Sequence, residues 1–317
     1  MANGTKHTAA EAPPLDWCVA GTLAWFGVLG RPLRLTEIKR LLLKRTATEQ
    51  EIKETLHELG DAVTKRDGYY SPAGTKVSYP TPVNERWFRY KWWRARLAAG
   101  ILGWIPFIEL VTVANTLADR TASKDSDIDV FIVVRHGRLF IVRTLSVIYL
   151  QLAGLRRHGK RINNRVCLTF YVTDRYQDLS DTAFKPYDIY LAYWVAGLTS
   201  LLAQPKAMHR LLKANAWAGE LVPEYATPRP PAQQPSWAAR LGQLLLDNPV
   251  GDFLERAAAK FWLKRIDTKP RPDEPDVRIV ADDSMLKFHE KERRKVYRAE
   301  WEHLLGRLGY DPALIRR

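Results

Sequence analysis

The run Ser126-Asp127-Ile128-Asp129-Val130-Phe131-Ile132-Val133-Val134 decides how this chain is read, because it sets two carboxylates two residues apart at the mouth of an otherwise apolar strand. Alternation along a strand sends residues i and i+2 to one face. Asp127 and Asp129 are therefore expected to point the same way, with Ile128 turned into the core between them. A pair of carboxylates so placed suits a hard divalent cation, which takes oxygen ligands.

Upstream, Ile108-Glu109-Leu110-Val111-Thr112-Val113-Ala114 reads as a short strand, and Asn115-Thr116 as the turn that follows it. Downstream come a helix from Leu139 to Leu155, a basic loop from Arg156 to Arg165, and a third strand, Val166-Cys167-Leu168-Thr169-Phe170-Tyr171-Val172. The order of strand, turn, short helix and Asp-x-Asp strand resembles the minimal nucleotidyltransferases of the DNA polymerase β superfamily. That family carries a Gly-Ser turn, then a short helix and loop, then Ser-Asp-x-Asp on the next strand. Here Asn115 and Thr116 stand where Gly and Ser would, and Thr121-Ala122-Ser123-Lys124-Asp125-Ser126-Asp127-Ile128-Asp129 matches the second half.

The resemblance implies an α/β (α+β) core with a short mixed sheet, spanning 105–175, and a Mg²⁺ (or Mn²⁺) ion held by Asp127 and Asp129. It also implies a nucleoside triphosphate whose phosphates meet Ser126, Thr116 and the backbone of Asn115 to Leu117. The activity implied is transfer of a nucleotidyl group to an acceptor hydroxyl on nucleic acid, protein or a small molecule. Asn is among the side chains that best tolerate a left-handed backbone, so Asn115 can keep the turn that glycine would make.

One departure weighs against activity. Members of the family usually place a third carboxylate on a later strand, and strict alternation gives the 166–172 strand the faces Val166, Leu168, Phe170, Val172 and Cys167, Thr169, Tyr171. Neither face holds an acid, and Asp174, just past the strand, is the nearest candidate. With the glycine also replaced, a catalytically degenerate protein that binds nucleotide or nucleic acid is the alternative. Arg156, Arg157, Lys160, Arg161 and Arg165 can steer an anion toward the metal or form a solvated basic loop.

Before this core, residues 15–79 form a unit of their own. Asp16 is placed to cap a first helix, Thr36 to cap a second over Glu37 to Lys44, and Thr48-x-x-Glu51 is a capping-box pattern opening a third. Residues 62–70 then read as two strands about Asp67-Gly68. Three helices followed by a hairpin resemble a winged helix, a fold that docks on DNA or on protein.

Residues 80–104 read as a linker helix in which Trp87, Phe88, Tyr90, Trp92 and Trp93 interleave with Arg and Lys. Burial against its neighbours, contact with nucleic acid and attachment to a membrane surface all fit that pattern. Residues 176–317 read as a helical region with Pro-rich breaks at 223–235 and 270–275. In it, Tyr187, Tyr190, Tyr193 and Trp194 form a stripe that suits either core or a nucleobase pocket. The segment from Lys287 to Lys295 reads as a basic helix.

Composition sets the frame. The 317 residues carry 49 Lys and Arg against 35 Asp and Glu, a net charge of +14 that favours polyanionic partners. With 46% hydrophobic residues a packed protein is expected, and Cys18 and Cys167 alone build neither a disulfide framework nor a zinc site. A cytoplasmic location is expected, with residues 1–14 a disordered tail lacking the apolar stretch of a secretory signal. The uncharged segment Ile189 to Gln204 is too short for an integral membrane span and reads as a buried helix. Nothing in the sequence speaks to oligomeric state.

Overall fold

The computed structural model describes residues 12–226, 232–267, 279–288 and 292–316. The expected tail at 1–14 falls largely outside that range, as do part of the first Pro-rich break and the whole of the second.

The chain opens with helix α1 (Leu15–Val28), strand β1 (Leu33–Arg34), and helices α2 (Leu35–Arg40) and α3 (Glu49–Glu58). Strands β2 (Val63–Arg66) and β3 (Tyr69–Pro72) follow, in a small antiparallel sheet of order β1-β3-β2. Asp67 and Gly68 both take positive φ, +51° and +76°, as the expected tight hairpin turn requires. At α3 the capping box closes as expected, with Glu51 N donating to Thr48 Oγ1 at 3.2 Å and Thr48 N donating to Glu51 Oε2 at 2.8 Å.

The other two starts differ from expectation. Asp16 lies within the first turn of α1, behind Pro14. Helix α2 starts at Leu35 behind Arg34, so Thr36 lies inside it rather than at its cap, and it ends at Arg40 rather than Lys44 because the buried residues Leu41 to Leu43 turn inward. There the Leu43 N–H is taken by Thr22 Oγ1 at 3.0 Å and the Lys44 N–H by Leu221 O at 2.8 Å.

Helix α4 (Pro82–Leu102) begins at Thr81, whose hydroxyl accepts from Asn84 N, and supplies Ala95, Ala98, Ala99 and Leu102 to the core. The central sheet then starts: β4 (Ile108–Val113), the single turn α5 (Asn115–Ala118), β5 (Ile128–Val134), α6 (Leu139–Leu152) and β6 (Val166–Thr173). Next come α7 (Ile189–Gly197), β7 (Thr199–Ala203), α8 (Ala207–Ala214), α9 (Trp237–Leu246) and α10 (Pro249–Asp267). Strands β8 (Val280–Ala281) and β9 (Met285–Lys287) and helix α11 (Arg294–Arg307) complete the order.

The sheet runs β7-β4-β5-β6-β9-β8, with β5 and β6 parallel and the other pairs antiparallel. The architecture is therefore mixed α and β, as expected, but three of its six strands come from the region expected to be helical. The segment 189–204 is a helix followed by a strand, and β9 takes up Lys287, the start of the expected basic helix, with Arg294 and Lys295 opening α11. Edge pairing explains both departures: β4 and β6 each have a free side that only a distant strand can satisfy, and local periodicity carries no sign of that. No helix among the described residues is long and apolar enough to cross a membrane.

Two hydrophobic clusters cover the two faces of the sheet. One joins Trp17 and Trp25 of α1 and Leu42, just past α2, to Phe131, Val133, Phe170 and Val172 of the sheet and to Trp301 and Leu305 of α11. Trp17 and Trp301 meet edge to face at 6.3 Å, so the first and last helices share one core. The other cluster takes Ile128, Val130, Ile132 and Val134 from β5 with α4 and α6. Ile128 thus turns inward as expected, while Asp129 shares its face with Phe131.

Candidate active site

The Asn115 turn sits at the end of β4 with φ +50°, the left-handed conformation expected of it. Its side chain bridges two groups: Nδ2 donates to Asp129 Oδ2 at 3.0 Å, and Oδ1 accepts from the Tyr190 hydroxyl at 3.1 Å. Asp127 precedes β5, and its Oδ2 accepts from Arg157 Nη1 at 2.7 Å. Ligand atoms of Asp127, Asp129 and Cys167 lie within 4.8 Å of one another.

Cys167 reaches this position because β6 is parallel to β5 and pairs Cys167 with Asp129, while a bulge then pairs Phe170 with Phe131. Two residues on β5 match three on β6, so Cys167, Phe170 and Val172 share a face that strict alternation would split. Asp174, the expected third acid, is not brought to the pair. It lies past the far end of β6, where its Oδ1 accepts from His136 N at 2.8 Å. A thiol stands where the acid was sought.

The electrostatics follow from burial and like charge. Burial raises the Asp129 carboxyl to about 6, and the neighbouring Asp127 charge adds to the effect against the hydrogen bond from Asn115. Burial likewise lifts the Cys167 thiol to about 12, with Asp129 as the next cause, so it is protonated at neutral pH. Two carboxylates and a neutral thiol face one another, with Arg157 as the nearest cation.

The loop before Asp127 is held from below by Lys91 of α4, which is fully buried. Its Nζ donates to Ser126 O and Asn164 Oδ1, each at 2.6 Å. Burial lowers the Lys91 ammonium from its usual value, and the Asp127 charge opposes that shift. No sequence pattern marks Lys91 among the other basic residues of this helix.

The site opens into a cleft of about 1030 Å³ whose lining includes Asn115, Asp127, Asp129 and Cys167, with Arg143, Arg156, Arg157, His158 and Arg265 as its basic members. Arg143 is buried on α6, donates to Leu168 O, and lies over the rings of Trp262, Phe288 and Tyr171 at 5.1, 5.2 and 5.3 Å. A single cation in the apolar run Leu139–Leu152 is the signal that would have found it. Of the expected steering residues, Arg156 and Arg157 line the cleft, and Lys160, Arg161 and Arg165 do not.

The remaining expected phosphate contacts lie elsewhere. Leu117 is buried in the second cluster, and the Thr116 carbonyl accepts from Thr121 N at 2.8 Å. The Ser126 hydroxyl donates to Ser123 O at 3.0 Å. Neither hydroxyl lines the cleft.

A second hollow of about 170 Å³ shares Asn115 with the cleft and is lined by Phe170, Tyr190, Trp194 and Tyr297. Tyr190 and Tyr297 stack at 5.8 Å with rings 2° from parallel. Tyr193 is core instead, stacked on Trp25 with its hydroxyl on Leu41 O. Tyr187 bonds Glu302 of α11 and lies outside the hollow.

The donor set fits a hard divalent cation in part. Asp127 and Asp129 offer two oxygen ligands at an open cleft where water and phosphate oxygens can complete the shell, whereas the thiol is a soft donor that suits Mn²⁺ better than Mg²⁺. Comparison of the chain with protein-family models, with curated proteins and with solved structures finds no match.

Proposed function

We propose that the chain is a divalent-cation-dependent nucleotidyltransferase of the DNA polymerase β type, transferring a nucleotidyl group from a nucleoside triphosphate to an acceptor hydroxyl. The observation that carries this reading is the meeting of Asp127 and Asp129 with the left-handed Asn115 turn at the floor of a basic cleft. In it, Asp127 and Asp129 would hold Mg²⁺ or Mn²⁺, which supplies charge neutralisation to the polyphosphate. Arg156, Arg157 and Arg143 supply positive charge to the same space. Asn115 orients Asp129 through its amide, and Tyr190 orients Asn115. The hollow of about 170 Å³ beside Asn115, lined by Tyr190, Trp194 and Tyr297, would take a nucleobase.

A second reading has its own support. Arg157 occupies Asp127, and a neutral thiol replaces the third acid, which together favour a degenerate core that binds nucleotide without transferring it. The two separate in one assay with α-labelled nucleoside triphosphates, Mg²⁺ or Mn²⁺ and cell extract. Transfer of label that Asp127→Asn and Asp129→Asn both abolish supports the enzyme. Nucleotide binding without transfer supports the degenerate core.

The N-terminal three helices with the small β1-β3-β2 sheet suit a winged-helix module, and the hairpin cations Lys65 and Arg66 over the Tyr70 and Tyr79 rings suit contact with nucleic acid. Two buried free thiols are in keeping with a cytoplasmic protein.

A further inference from the structure

Helices α9 and α10 form a hairpin whose outer surface is apolar. On α9, Trp237, Leu241, Leu244 and Leu245 recur at helical spacing, with Trp237 72% and Leu244 77% exposed. On α10 the same holds for Val250, Phe253, Leu254 and Phe261, with Phe253 62% exposed. The opposite side of α10 is fixed inward, because Glu255 accepts from Phe140 N and Ile141 N, each at 2.8 Å, and Trp262 Nε1 donates to Thr144 Oγ1 at 2.9 Å. The exposed stripe is thus the outward face of a docked helix.

The charges beside the stripe are basic. At 100° per residue, Lys260 borders the Phe253 side of the α10 stripe with Arg256 beyond it, Lys264 falls within the stripe's arc one turn past Phe261, and Arg240 borders the stripe on α9. These four form no ion pair among the described residues. Three of the four acids of the hairpin are engaged, Asp247 with Arg135 at 3.0 Å, Asp252 with Arg138 at 2.7 Å, and Glu255 with the α6 amides, and the fourth, Asp267, lies exposed at the C-terminal end of α10. Trp104 meets Trp237 edge to face at 6.5 Å, adding a second exposed indole at one end.

We propose that the α9–α10 hairpin docks on an anionic lipid bilayer, lying in the interface with the apolar stripe among the acyl chains and Arg240, Arg256, Lys260 and Lys264 among the headgroups. Apolar residues facing outward, tryptophans beside them and flanking cations in excess of flanking acids are the features of an interfacial helix. The net charge of +14 works in the same direction. Phe261 belongs to both the stripe and the cleft that holds Asp127 and Asp129, so the docked protein carries that cleft close to the membrane surface. This inference stands apart from the transfer reaction and survives its failure.

The test is co-sedimentation of the full chain with vesicles of equal parts phosphatidylcholine and phosphatidylglycerol, against vesicles of phosphatidylcholine alone, at low and high salt. Binding to the anionic vesicles that falls with salt is the expected result. The paired substitution Leu244→Glu with Phe253→Glu lowers it more than about tenfold, as loss of two inserted side chains requires. Lys260→Glu with Lys264→Glu lowers it by at least about tenfold. Circular dichroism and thermal unfolding verify that both variants fold, and the lysine pair, fully at the surface, keeps the test decisive should the other fail. Absence of sedimentation at low salt overturns the proposal, as does equal binding to neutral vesicles. Self-association that Leu244→Glu with Phe253→Glu abolishes overturns it too, because a second copy would then cover the face.

Discussion

Two charged groups in this protein are buried by the same fold and treated oppositely. At Arg294, the guanidinium donates to Asp188 Oδ2 and Glu292 Oε2, each at 2.8 Å, and lies 4.1 Å from the centre of the Phe184 ring. Burial would lower Arg294 and raise Glu292, yet their bonds reverse both shifts, so the guanidinium is held above and the Glu292 carboxyl below its usual value. At Asp129 the balance runs the other way, because Asp127 adds like charge to the cost of burial. A cluster whose charges are satisfied internally serves the fold, and one left short of positive charge beside an open cleft has room for a cation to supply it.

The comparison breaks first at Arg294. Arg294→Ala strands Asp188 and Glu292 in the interior, and the expected loss of stability in denaturant unfolding is about 3–5 kcal/mol. A loss under about 1 kcal/mol would mean that the cluster is not a structural pairing.

Asp129→Asn should act in the opposite sense. The Asp129 carboxyl is raised from 3.8 to about 6, so the folded protein retains a proton that the unfolded chain releases. The stability tied to that proton is complete in acid and lost as pH rises from 3.8 through about 6, a loss of about 3 kcal/mol in metal-free protein. Asp129→Asn removes that slope, and unfolding curves across this interval with chelator present check it. Adding Mn²⁺ at neutral pH should raise the melting temperature of the wild type and leave Asp129→Asn unmoved.

Arg157→Ala sharpens the contrast further. Removing the one cation bonded to Asp127 should tighten Mn²⁺ binding by up to about tenfold in nucleotide-free protein, measured calorimetrically, since Arg157 and the ion compete for one carboxylate. Weaker Mn²⁺ binding would show that Arg157 organises the site. The smallest effect is expected far from both clusters, where Thr48→Ala should cost about 1 kcal/mol through loss of the helix cap.

Local features are legible in the sequence where residues a few positions apart supply every partner. The Thr48 capping box, the Asp67-Gly68 hairpin and the left-handed Asn115 each depend on residues a few positions apart. The pairing of Asp127 with Asp129 also needs only the alternation of one strand. The place of Cys167 beside Asp129 depends on the parallel register of β6 on β5, which is set by how two strands pair and not by the periodicity of either one. Asp174 directly follows that strand in sequence, but the eight residues of β6 carry it to the other end of the sheet.

What the sequence by itself determined is therefore the floor of the site: a strand bearing Asp127 and Asp129, a turn bearing Asn115, and a basic loop bearing Arg156 and Arg157. Only the tertiary structure decided what surrounds them. Lys91 meets Ser126 across 35 residues, Arg157 meets Asp127 across 30, and Tyr190 meets Asn115 across 75. The physical reason is that backbone periodicity is enforced within a few residues by sterics and hydrogen bonding, whereas these partners are chosen by which buried charges and strand edges still need one.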